Sequence, residues 1–72
     1  MKFTKLQKGK YKFEGIDNWN GEWIEGEIHH QPYDVKLSQQ WQVIFINDYH
    51  THTAFFGSTL KRCKDWLTAP LQ

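Results

Sequence analysis

The chain has little of what usually reveals a function by inspection. Among its 72 residues there is one cysteine, Cys63, so an internal disulfide cannot form and no Cys/His spacing for a structural zinc exists. A reducing compartment suits that composition, and a cytoplasmic protein is the expectation. The opening stretch "MKFTKLQKGKYK" lacks the continuous apolar segment of a secretory signal, and no run approaches transmembrane length. A soluble protein with no membrane partner is expected.

Charge of one sign is also missing. Nine Lys and Arg meet eight Asp and Glu, a net charge of +1, so bulk electrostatics selects no polyanion partner. There are no internal repeats, low-complexity tracts or linkers, and residues 1–72 read as a single domain. No catalytic or cofactor signature is found, so the expectation is a non-enzymatic protein without a cofactor.

Aromatic residues are what the chain has in excess: four Trp, five Phe and three Tyr, 17% of the sequence. That richness indicates a folded domain rather than a disordered tail. A domain of this size buries only roughly 60% of the surface its unfolded chain exposes, so each large side chain counts. Charge is unevenly placed. Lys2, Lys5, Lys8, Lys10 and Lys12 open the chain without an acid, whereas Glu14, Asp17, Glu22, Glu25, Glu27 and Asp34 follow with Lys36 alone among them.

Local patterns predict the elements. Residues 10–16, "KYKFEGI", alternate polar with apolar, the period of a half-buried strand. "DNWNG", Asp17 to Gly21, is dense in residues that accept positive φ or bond their own backbone, and reads as a hairpin loop. In "EWIEGEIHH", Ile24, Gly26 and Ile28 share one face, and Trp23, Glu25, Glu27 and His29 the other. Pairing these two strands places Lys10 and Lys12 on the same outer face as Glu25 and Glu27. Gly26 marks a bulge or a close approach. A connection broken by Pro32 follows, with Val35–Leu37 as a candidate short edge segment. "WQVIFIN" and "THTAFFG" are the next strands, joined through "NDYH". Ser58 or Thr59 caps a helix in which Leu60, Cys63, Trp66 and Leu67 recur at helical spacing, and Ala69-Pro70 stops it.

The predicted fold is therefore α+β: a curled antiparallel sheet of four strands, or five, with one C-terminal helix packed on one face. Trp41 to Ile46, "WQVIFI", is apolar on both faces. One helix covers only one of them. Closure of the sheet into a barrel at Gly15 and Gly26, folding back of "MKFTKL" with Phe3 and Leu6, or another chain are the three ways to cover the second face. A patch made of Trp41, Val43, Phe45 and Phe55, or of the alternate set Ile44, Ile46 and Phe56, is large enough to signify an interface.

Other chemistry is weaker. His50 and His52 share a face of a strand, with His29 or His30 as a neighbour, but no carboxylate or third well-spaced imidazole completes a metal site. The glutamates read as an ion-paired solvated face. Cys63 lies on the apolar stripe of the helix and reads as inert core. "FFGSTLKR" has the free amides and cations of an anion corner, without the glycines of a phosphate loop, so helix capping explains it. The alternative to protein binding is single-stranded nucleic acid, with Trp19 and Trp23 stacking on bases and Lys8, Lys10 and Lys12 meeting phosphates. The acidic strand between them opposes that.

The closing "GSTLKRCKDWL" resembles the ends of many short bacterial and phage reading frames. That resemblance implies an accessory protein and assigns no residue a role. The expectation is a small protein-binding or self-associating domain, with a protein partner or a homodimer at the outer faces of its last two strands.

Overall fold

The computed structural model describes residues 1–17, 20–31, 36, 39–46 and 51–68. Five strands are followed by one helix: β1 (Lys2–Gln7), β2 (Lys10–Ile16), β3 (Trp23–His30), β4 (Trp41–Ile46), β5 (Thr51–Gly57) and α1 (Leu60–Thr68). The strands form one antiparallel sheet in the order β1-β2-β3-β4-β5, so each pairs with its neighbours in the chain. The sheet is not closed into a barrel, and β1 and β5 are its two edges.

The fifth strand lies at the N-terminus. The segment "MKFTKL" does fold back, but as an extension of the sheet, hydrogen-bonded to β2 and not layered over a face. Lys8 and Gly9 make the turn, and Gly9 has φ +76°, a conformation open to glycine at little cost. The other candidate for a fifth strand, Val35–Leu37, falls largely outside the described residues. At the β2–β3 connection the buried Asp17 carboxylate accepts from the Asn20 amide at 2.5 Å and the Gly21 amide at 3.2 Å. This is the local bonding expected of an aspartate in a tight loop.

Register then decides which side chains meet. Tyr11 pairs with Ile28, Ile28 with Val43, and Val43 with Phe55, giving one row across four strands. Phe13, Gly26 and Phe45 form the next. Both rows face α1. Phe13, Ile28, Val43 and Cys63 are 0% exposed and Leu67 is 1% exposed, with Phe3, Tyr11, Ile24, Trp41, Phe45, Phe55, Leu60 and Trp66 packed around them.

The helix is held by its caps and its rings. Thr59 Oγ1 accepts from the Arg62 amide at 3.2 Å, the N-cap bond that satisfies a first-turn donor. Trp66 stacks on Phe55 with centroids 4.9 Å apart and planes at 15°. Lys64 Nζ sits 5.1 Å from the Phe3 ring centre and 5.7 Å from that of Tyr11, a cation–π contact tying the helix to the far side of the sheet.

Candidate functional site on the open face of the sheet

The strand period of two puts every second residue on the side away from α1. On β2 these are Lys10, Lys12, Glu14 and Ile16; on β3, Trp23, Glu25, Glu27 and His29; on β4, Gln42, Ile44 and Ile46. Phe56 joins them from β5, opposite Gln42. A bulge at Ala54 shifts the β4–β5 register between Val43 and Ile44. It turns Thr53 to this face and His52 to the helix side, where the His52 ring meets Phe45 edge-on at 5.5 Å. Among the described residues no second layer covers this face.

Half of the face is ionic. Lys10 Nζ lies 3.5 Å from Glu27 Oε1, and Lys12 Nζ 3.9 Å from Glu14 Oε2. Of the cross-strand charge pairing read from the strand pattern, Lys10–Glu27 is present, whereas Lys12 reaches Glu14 on its own strand. Glu27 also binds the His29 ring at 2.7 Å. That hydrogen bond, and then the positive charge of Lys10, hold the Glu27 carboxyl below its ordinary value of 4.5 against the opposing effect of burial. Exposed pairs of this kind contribute only a few tenths of a kcal/mol each, so they order the surface more than they stabilise it. Glu14 stands directly opposite Glu25, a like-charge pair that a sheet does not favour.

The other half is apolar. Ile46 is 38% exposed, Phe56 48%, Ile16 56% and Trp23 60%. Ile16 pairs with Trp23 across the end of the β2–β3 hairpin, beside an open concavity of about 450 Å3 that Met1 and Lys2 also line. Ile16 is a residue that the strand pattern left unassigned. Its even position in β2, in step with Lys10, Lys12 and Glu14, is the signal that places it outward.

Trp41, Val43, Phe45 and Phe55 are on the opposite side. Val43 is wholly buried and the three rings pack on the core, Trp41 tilted against Tyr11 at 6.2 Å. As a docking surface this set is a correction: it packs on the core on the α1 side, and the alternate set on the other side is the half-buried Ile44 with the exposed Ile46 and Phe56. Both sets are equally apolar in sequence. The covered one is the set that shares its rows with Phe13 and Ile28.

The nucleic-acid residues do not gather into a basic stripe. Lys8 is exposed at the β1–β2 turn, but Lys10 and Lys12 are engaged by Glu27 and Glu14. Trp23 is exposed beside the row that holds Glu14 and Glu25, and Trp19 lies outside the described residues.

The histidines are dispersed. His29 faces outward, whereas His30 points to the helix side and stacks on Trp41 with centroids 4.4 Å apart. His52 is two strands away from both, with β4 between, and His50 lies outside the described residues. Among the described residues no three His, Cys, Asp or Glu side chains are placed to hold a metal ion. The Cys63 thiol is buried against Gly57, and burial pushes it up to about 11. At the start of α1, Lys61 reaches Asp65 at 3.1 Å, so capping and a surface pair account for the polar groups there. No described helix is long and apolar enough to cross a membrane.

No family model, no curated protein and no solved structure matches the chain.

Proposed function

We propose that this chain is a small non-enzymatic binding domain that docks a polypeptide, another protein or a second copy of itself, on the face of the sheet opposite α1. One observation carries the reading. Ile16, Trp23, Ile46 and Phe56 stand 38–60% exposed on one face, beside Ile44, while the opposite face has its own helix. Apolar side chains gathered on one surface of so small a domain mark an interface more often than a solvated face. Single-stranded nucleic acid is the less favoured occupant, because three carboxylates, Glu14, Glu25 and Glu27, share the face with the lysines.

The test uses one substitution on each face. Phe56→Glu is expected to leave the far-UV circular dichroism unchanged and to abolish binding of a hydrophobic dye that the wild type takes up. Phe45→Glu, on the helix side, is expected to unfold the chain. If Phe56→Glu unfolds it equally, or the wild type at a dilution where it is monomeric takes up no dye, the face is not a docking surface. Quenching of Trp23 by an oligonucleotide at low salt, lost as salt rises, would replace this reading with the nucleic-acid one.

A further inference from the structure

The charges on the open face are sorted along the strands. At one end, beside Ile16 and Trp23, the row formed by Lys2, Glu14 and Glu25 holds one cation and two anions, and Glu22 lies just beyond it. The middle row sets Lys12 opposite Glu27 and is neutral. At the other end Lys10 and His29 share a row, and Lys8 is exposed at the adjoining turn. The sheet is acidic at its β2–β3 loop end and basic at its β1–β2 turn end. Apolar groups run between those ends: Ile46 in the acidic row, Ile44 in the middle, and Phe56 in the basic row.

We infer that the occupant of the open face is a second copy of this chain, laid face to face with its strands reversed, so that the acidic end of each sheet covers the basic end of the other. This rests on the docking reading above and names the partner. A two-fold axis lying across the strands near Ile44 generates the arrangement. It brings Glu14 and Glu25 of each copy toward the end of its mate that holds Lys10 and Lys8, and leaves Ile44 near the axis with Ile46 and Phe56 in the rows on either side. A two-fold contact of this kind is self-complementary and closes at two copies. Stacking the sheets with strands in the same direction would set like charge on like.

Two further observations favour face over edge. β1 carries Lys2 and Lys5 and a bulge between Lys5 and Gln7, and β5 is interrupted by the bulge at Ala54. Charges and bulges on edge strands oppose strand addition. The molecule measures 34 × 29 × 20 Å, and a two-layer thickness of roughly 20 Å leaves the two longer dimensions in the plane of the sheet. Such a face has room for the roughly 800 Å2 per partner that a stable interface needs. Aligned sheets stack about 10 Å apart with strands within about 30° of each other, an angle that arises from the twist of each sheet, so a face-to-face stack is an ordinary sheet packing.

Sedimentation equilibrium of the full chain, from low-micromolar to millimolar concentration, tests this together with two charge reversals. One variant combines Glu14→Lys and Glu25→Lys; the other combines Lys8→Glu and Lys10→Glu. The wild type is expected to dimerise, more weakly as salt rises. Each reversal alone is expected to weaken dimerisation by about tenfold or more, and an equimolar mixture of the two to restore it as a heterodimer. Circular dichroism confirms folding; if the reversal at Lys8 and Lys10 unfolds, Lys8→Gln with Lys10→Gln replaces it, read by loss of salt dependence. A dimer that ignores both reversals, or a mixture that restores nothing, overturns the arrangement. A wild type that stays monomeric while Phe56→Glu passes its own test overturns the second copy as occupant and leaves the docking reading intact, with a different polypeptide on the face.

Discussion

At position 26 a side chain has no room. A Cβ there would run into the Ile44 carbonyl oxygen and stand 2.7 Å from Cζ of Phe13. The ring of Phe13 lies across the glycine and meets Phe45 edge-on at 5.8 Å, so two aromatics from strands that are not neighbours touch through the gap. Gly26→Ala is therefore expected to destabilise the fold by about 1–3 kcal/mol, the usual cost of overpacking. Urea denaturation checks it: an unchanged midpoint would mean that the ring and the carbonyl move aside freely. The sequence suggested that Gly26 marks a bulge or a close approach. The β2–β3 register runs unbroken through it, so close approach is the reason for the glycine.

At the scale of the element, α1 has only nine residues, Leu60–Thr68, too short to persist alone in water. Its N-cap and its packing on the sheet must supply the difference. Thr59→Ala removes the acceptor for the Arg62 amide and is expected to cost about 1 kcal/mol, read as a lower thermal midpoint, while Ser58→Ala changes little. Equal losses would show that the two hydroxyls share the cap. The helix was legible because Leu60, Cys63, Trp66 and Leu67 keep its period, and β2 to β5 because alternation or a continuous apolar run marks each. β1 was not legible as a strand. It is an edge on which only Phe3 is partly buried, while Lys2, Thr4, Lys5, Leu6 and Gln7 are exposed, so its hydrophobic pattern is one residue deep. The bulge at Ala54 left no mark either, since it reverses the facing of Thr51, His52 and Thr53, none of them strongly apolar. Nor did the sequence say which face of β4 the helix takes. That depends on register with β3, and register is a property of paired strands, not of one strand.

At the scale of the molecule, five buried apolar side chains among the described residues make a small core, and stability should respond measurably to pH at both extremes. Glu27 titrates below its ordinary value in the folded state, so its contribution is fully present above about pH 4.5 and is lost as pH falls through the lowered value. Cys63 runs the other way. Its thiol is raised from 9.0 to about 11, so its contribution is complete below pH 9 and disappears as pH rises toward 11. The alkaline loss is on the order of 2 kcal/mol, given 1.36 kcal/mol per pH unit. Thermal melts against pH should show a shallower alkaline fall for Cys63→Ala and a shallower acid fall for Glu27→Gln. Identical profiles would mean that other groups set both limits.

The helix follows all five strands in the chain, and this order has a consequence for synthesis. Each strand pairs with the one made just before it, so the sheet can assemble while the polypeptide is still growing, but Phe13, Ile28 and Val43 stay uncovered until Cys63 and Leu67 are added. A nascent chain halted before residue 60 would thus present grease on both sides of a finished sheet. Premature termination there should yield an aggregating fragment rather than a weakened domain.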